Sequence, residues 1–219
     1  MAGCSTALDL AERGYRVVLL EGQRIGWGAS GRSGGQAITG YACGQEALER
    51  QVGFENARRM WDISVEGLRL LRERVERHSI ACDLHWGQIH VALKRRQRDE
   101  LLHELEQLET RYQYPHLQFV EREGVETLLA TKRYCAGVYD RGSGHLHPLN
   151  YTLGLAGAAR KLGATIHEQT RALRIERSSP PVVHTPNGSV RCRYLVLCGN
   201  VYLDGVAPEL ARTIMGVGT

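Results

Sequence analysis

The residues of this sequence best suited to chemistry lie in one stretch, Ile25-Gly26-Trp27-Gly28-Ala29-Ser30-Gly31-Arg32-Ser33-Gly34-Gly35-Gln36. Five of its twelve positions are glycine. Backbone without a Cβ lets a ligand come close enough to be held by amide N–H groups. Small or hydrogen-bonding residues fill most of the gaps, so the stretch suits a cradle around something flat or phosphorylated. A flexible Gly/Ser linker is the competing reading. Trp27, Arg32 and Gln36, at fixed places behind an apolar run, speak against it.

The elements that must position this loop precede it. Tyr15 to Leu20 reads as a strand ending at Glu21, and Gly3 to Arg13 as a helix with Ala7, Leu8 and Ala11 on one side and Gly14 as its stop. Helix, glycine stop, strand and acid form the second part of a βαβ dinucleotide unit. In the fingerprint G-x-G-x-x-G the third glycine permits close packing of helix on strand, and Gly3 matches it. The strand that would come first, with the two earlier glycines, is missing from the sequence. Glu21 lies 18 positions after Gly3, where the fingerprint puts an acid that accepts from the adenosine ribose hydroxyls. A carboxylate there repels a 2′-phosphate, which argues against NADP.

From Gly3 to Gln36 the sequence resembles the FAD-dependent oxidoreductases of the D-amino-acid oxidase type. Gly28-Ala29-Ser30-Gly31-Arg32-Ser33-Gly34-Gly35-Gln36 is most similar to the gamma-glutamylputrescine oxidase branch. The resemblance implies an α/β fold: a Rossmann-like FAD-binding sheet with its first strand missing, and part of a mainly antiparallel substrate domain. It implies FAD as cofactor, with Ala29 and Ser30 on the phosphate side and Arg32, Ser33, Gly34, Gly35 and Gln36 along the flavin. Some relatives anchor FAD covalently through a histidine in this loop. Arg32 stands at that position and no histidine occurs between Met1 and Arg77, so the flavin is expected to be non-covalent. The implied reaction is oxidation of a small-molecule amine or amino acid, gamma-glutamylputrescine-like, to an imine and then an aldehyde, with oxygen reoxidising the flavin. An inactive remnant, or a dehydrogenase passing electrons to a partner, are the alternatives. No residue reads as a convincing catalytic base.

The middle of the chain opens with Phe54, Ala57, Trp61, Val65, Leu68, Leu71 and Val75 at helical spacing, the stripe of a long amphipathic helix. A second, charged helix starts near Gln97. Between them Leu84 to Lys94 reads as a strand or bent hairpin. His85 and His90, five apart, fall on opposite faces of one strand and do not converge on an ion, so no metal site is expected. Gly137 to Pro148 reads as a strand, a Gly-rich turn and a Pro-led helix start; His145 and His147 are read as structural.

In the closing third, a helix from Asn150 to Leu162 stops at Gly163 and a strand follows from Ala164 to Glu168. The turn at Thr170-Arg171-Ala172 matches where relatives touch adenine, which assigns Ala172 to the cofactor. A meander follows, with Asn187-Gly188 as a type I′ hairpin signal. Tyr194 to Cys198 reads as a buried parallel strand. It ends at Gly199-Asn200, where the carboxyl edge of an open α/β sheet collects ligands.

Composition bounds the rest. The net charge of +4 comes from arginine interleaved with glutamate, and only two Phe and three Trp are present, which leaves a nucleic-acid partner unsupported. The six cysteines show no C-x-x-C or zinc-like spacing, and read as reduced, mostly buried thiols of a cytoplasmic protein. No apolar run reaches the ~20 residues of a membrane span. The expected division is residues 1–80 and 144–219 for the FAD-binding domain and 81–143 for the substrate domain. The chain reads as a piece of a flavoenzyme that continues at both ends. By itself it is expected neither to retain stoichiometric FAD nor to oxidise amines.

Overall fold

The computed structural model describes residues 1–203 and 205–216. In chain order the elements are α1 (Ala2–Glu12), β1 (Val18–Leu20), β2 (Gln36–Ala37), α2 (Gln45–Val52), α3 (Phe54–Arg77), β3 (His85–Ala92), α4 (Arg95–Thr110), β4 (Leu117–Glu121), α5 (Arg122–Leu129), β5 (Ala136–His145), α6 (Pro148–Lys161), β6 (Thr165–His167), β7 (Arg174–Glu176), β8 (Val182–Thr185), β9 (Gly188–Arg191) and α7 (Pro208–Ala211). They form two compact units. One holds residues 1–33 with 148–219, the other residues 34–147. These bounds differ from the expected ones, since residues 34–80 group with the antiparallel sheet.

In the first unit, α1 buries Cys4, Ala7, Leu8 and Ala11, the i, i+3, i+4, i+7 stripe of a helix with one apolar face. It packs on α6, which buries Tyr151, Leu155, Ala156, Ala158 and Ala159. Small residues on both faces let the two backbones approach closely. Gly14, at φ +80°, ends α1, and the Tyr15 N–H then bonds the Leu10 carbonyl at 3.0 Å. Gly163, at φ +91°, does the same for α6. Each helix therefore turns directly into a strand, and β1 and β6 pair in parallel from Val18↔Thr165 to Leu20↔His167. The meander forms a separate antiparallel sheet in the order β7-β8-β9.

In the second unit β5 is the centre of an antiparallel sheet. It pairs with β3 on one edge and with β4 and β2 on the other. Trp61 of α3, Leu108 of α4, Tyr112 and Tyr114 form its aromatic core, with Phe54, Val65 and Leu117 against it. Trp61 meets Tyr114 edge-on at 5.3 Å between ring centroids, the arrangement the ring quadrupoles favour. The Tyr114 hydroxyl donates to Asp140 Oδ1 at 3.0 Å. Burial and the Asp140 carboxylate push its ionisation well above the usual tyrosine range.

Four local expectations are corrected. Gly142-Ser143-Gly144 is strand, not turn: β5 runs unbroken to His145. Its glycines serve close packing, because a Cβ at Gly144 would strike the His85 carbonyl and one at Gly142 the Tyr114 hydroxyl. The meander hairpin turns on Pro186 and Asn187, with Thr185 paired to Gly188. Proline fixes a negative φ, which a type I′ turn forbids, so the positive φ falls on Gly188 at the head of β9. Tyr194 to Cys198 is not a strand and not buried; Tyr194 is 69% exposed and Val196 55%. No described strand pairs with it. Of the six thiols, all free, only Cys4 and Cys82 are buried, while Cys43 and Cys198 are exposed.

Candidate cofactor site

The turn after β1 sets the first half of the site. The Glu21 amide donates to the His167 carbonyl at 2.9 Å, which continues the parallel pairing one residue past the strand. Glu21 Oε1 accepts from the Gln23 amide at 2.8 Å, so the carboxylate is locked in place over its own turn. The other oxygen has no partner among the described residues, and Glu21 is half-buried. Opposite it, the Thr170 amide bonds the Glu21 carbonyl at 2.8 Å and the Gln169 amide the Gln23 carbonyl at 2.7 Å. Gly22 lies against Arg171, where an added Cβ would sit 3.7 Å from the Arg171 Cβ. The structure thus brings Glu21 and the turn leading to Ala172 together.

The loop itself starts under a clamp. Glu168 Oε1 accepts from the Ile25 amide at 2.7 Å across a sequence separation of 143 residues. That hydrogen bond, helped by Arg160, holds the Glu168 carboxyl below its usual range. Ile25 is buried. Past it the chain makes a single 3-10 turn, Ala29–Gly31, and folds on itself: a Cβ at Gly31 would meet the Gly26 carbonyl, and one at Gly26 would meet Leu149 of α6. Two of the loop's five glycines are therefore there for its own packing, not for a ligand. Gly28 is different, with only the Tyr202 ring within 4 Å of an added Cβ.

Ser30 Oγ accepts from the Met1 amine at 2.6 Å, which docks the 3-10 turn beside the first turn of α1. The opening amides of a helix lack intrahelical partners and attract anions, and Gly3 sits among them. An added Cβ at Gly3 would lie 3.4 Å from Cys198 Cβ, so the start of α1 also meets the segment leading to Gly199 and Asn200. Ser30 and the segment leading to Gly199 thus both meet the first turn of α1. Asn200 and Ala29 are exposed. Arg32 does not reach the start of α1 through a hydrogen bond; its guanidinium lies over the Trp27 ring at 5.2 Å. Ser33 is exposed.

Gly34, Gly35 and Gln36 belong to the second unit. Gly35 is buried at φ +73°, and its carbonyl accepts from Leu146 at 2.9 Å. Gln36 is exposed and pairs with His145 on β5. Sequence reasoning missed Glu168, whose role depends on a partner 143 positions away, and Tyr202, which faces Trp27 at 6.3 Å between centroids. An acid directly after a strand was the available signal for Glu168. His85 meets His145 across the sheet, rather than His90. Among the described residues no group of three or more His, Cys, Asp or Glu is placed to hold a metal, and no helix is long and apolar enough to cross a membrane.

The residues of the first unit fit a dinucleotide with an unphosphorylated ribose. They offer a fixed carboxylate with one open oxygen, a helix start with a hydroxyl beside it, and a turn at Gly28 that carries no Cβ. The chain is 38% identical over 218 residues to gamma-glutamylputrescine oxidoreductase of Escherichia coli (strain K12), covering 99% of this chain and 51% of that protein. It spans about half the length of the curated relatives it matches. Its fold is that of glycine oxidase from Geobacillus kaustophilus, with a TM-score of 0.72 at 22% identity over 95% of this chain and 55% of the other. Dithionite-reduced L-alpha-glycerophosphate oxidase from Mycoplasma pneumoniae with FAD bound matches at a TM-score of 0.65 and 20% identity, over 86% of this chain and 48% of the other. Residues 1–218 match the FAD dependent oxidoreductase family, and the chain belongs to it.

Proposed function

We propose that this chain builds the adenosine and loop side of a non-covalent FAD site, in a cytoplasmic protein that oxidises an amine or amino acid with oxygen as acceptor. The observation that carries the cofactor part is Glu21, locked by the Gln23 amide with one carboxylate oxygen left for a ribose hydroxyl. The substrate part rests on the 38% identity to gamma-glutamylputrescine oxidoreductase, which makes a gamma-glutamyl-polyamine-like amine the favoured substrate.

Bound FAD would supply hydride acceptance from the carbon bearing the amine, so that the substrate would become an imine that water hydrolyses to an aldehyde. The chain's own residues bind and orient. Glu21 accepts from the ribose, and Ala172 lies at the adenine turn. The first-turn amides of α1, the Gly28–Ala29 backbone and the Ser30 hydroxyl donate to phosphate oxygens. Gly199 and Asn200 close the same place. Arg32, Ser33, Gly34, Gly35 and Gln36 follow along the flavin. No side chain of this chain is assigned as a base, in keeping with direct hydride loss from a neutral amine.

The test is anaerobic mixing of the FAD-bearing holoenzyme with gamma-glutamylputrescine. Bleaching of the visible flavin band, followed by one peroxide per aldehyde on admitting air, is the expected result. Bleaching without peroxide would overturn oxygen as the acceptor and leave a dehydrogenase. No bleaching with this or any primary amine or amino acid would overturn the reaction class.

A further inference from the structure

We propose that His85 and His145 form a binding site for a divalent first-row transition ion on the face of the antiparallel sheet. The two residues are directly opposed in the β3–β5 register, so their side chains leave the same face. Their rings lie 5.5 Å apart between centroids at an interplanar angle of 29°. A metal bound by two imidazole nitrogens at about 2.0–2.1 Å in tetrahedral geometry holds the ring centroids roughly 5 Å apart. The observed rings are stacked at a comparable separation, and a shared ion requires each side chain to rotate until one nitrogen points inward.

Three further features fit. Both histidines are exposed, so an ion has access and can complete its coordination with water. Neither imidazole hydrogen-bonds to another described side chain, so no existing bond must break. Both sit on paired strands rather than on loops, and Gly144 allows the two backbones to close on each other beside the pair. Imidazole selects Zn²⁺, Ni²⁺ or Cu²⁺ over Mg²⁺ and Ca²⁺, which prefer oxygen. The ion would also tie β3 to β5. Gln36, the next residue across on β2, folds its amide over Gly34 and is left out of the ligand set.

Ni²⁺ is the probe, since Cu²⁺ would oxidise the exposed Cys43 and Cys198 thiols. Calorimetric titration of the whole chain should show a site whose affinity falls at least tenfold in His85→Gln and in His145→Gln, but not in His90→Gln. Ni²⁺ should also raise the melting temperature of the unmodified chain, and should not do so in either variant. A measurement without mutation guards against misfolded variants: paramagnetic Ni²⁺ should broaden the imidazole NMR signals of His85 and His145 before those of the other seven histidines. Equal affinity in all variants, or broadening that starts at another histidine, would overturn the site.

Discussion

Glu21 gives one carboxylate oxygen to the Gln23 amide and keeps the other open, so the turn is fixed before any ligand arrives. Such preorganisation makes its loss costly. A hydrogen bond to a charged acceptor contributes about 1.5–3 kcal/mol, so Glu21→Ala in the FAD-binding holoenzyme should weaken FAD binding roughly 10- to 100-fold in a fluorescence titration of the apoprotein. An unchanged affinity would remove Glu21 from the site. Glu168 acts through position instead. Its carboxyl, held below the usual range first by the Ile25 amide and then by Arg160, has a folded pKa depressed relative to the unfolded chain. The stability it confers is therefore present above the ordinary glutamate value of about 4.3 and lost as the pH falls below it. Urea midpoints of wild type and Glu168→Gln should differ at neutral pH and converge in acid; parallel curves would contradict the clamp. Arg32, stacked on Trp27 in a loop without histidine, leaves no imidazole for a flavin bond there. Acid precipitation should release all FAD into the supernatant, and a yellow washed pellet would show otherwise.

Among the elements, β5 is the one whose glycines decide the packing. A Cβ on Gly144 runs into the His85 carbonyl, which is backbone and cannot swing aside. Gly144→Ala should cost about 1–3 kcal/mol by overpacking, read as a lower urea midpoint, whereas Gly67→Ala on α3, with open space around it, should not. The same glycines explain what the sequence concealed. Glycine in a run marks a turn or a close approach, and only the identity of the neighbouring strand tells them apart. Periodic segments were legible: α1, α3, α4, α6 and the strands β1, β3 and β6 lie where their stripes and glycine stops put them. The Glu21 turn was legible from fingerprint spacing and the 25–36 loop from its glycine content, because both signals are local. Partners separated by a hundred residues or more were not. The Ile25–Glu168 bond depends on β6 lying beside β1, and the solvent-facing state of 194–198 depends on which strands are there to receive it. Apolar composition signals that a segment seeks burial, not that burial is supplied.

At the scale of the whole chain, the first unit carries an exposed apolar surface that its own residues do not cover. Tyr194 is 69% exposed, Val196 55%, Leu173 52% and Val18 40%, and β1 pairs with β6 alone among the described strands. An unpaired strand edge and a run of exposed apolar side chains are the two features that natural folds normally hide. The net charge of +4 is too small and too evenly mixed to keep copies apart. The chain should therefore self-associate reversibly, with an apparent mass in sedimentation that rises with protein concentration. Because the driving surface is apolar, added salt should leave the association intact or strengthen it, whereas an association built on the many surface ion pairs would weaken. Val196→Lys and Tyr194→Lys, both at exposed positions where a lysine stem meets no steric obstacle, should lower the association without altering the circular dichroism spectrum. A chain that stays monomeric at high concentration, or variants that associate as strongly as the parent, would show that segment 194–196 is not the adhesive surface.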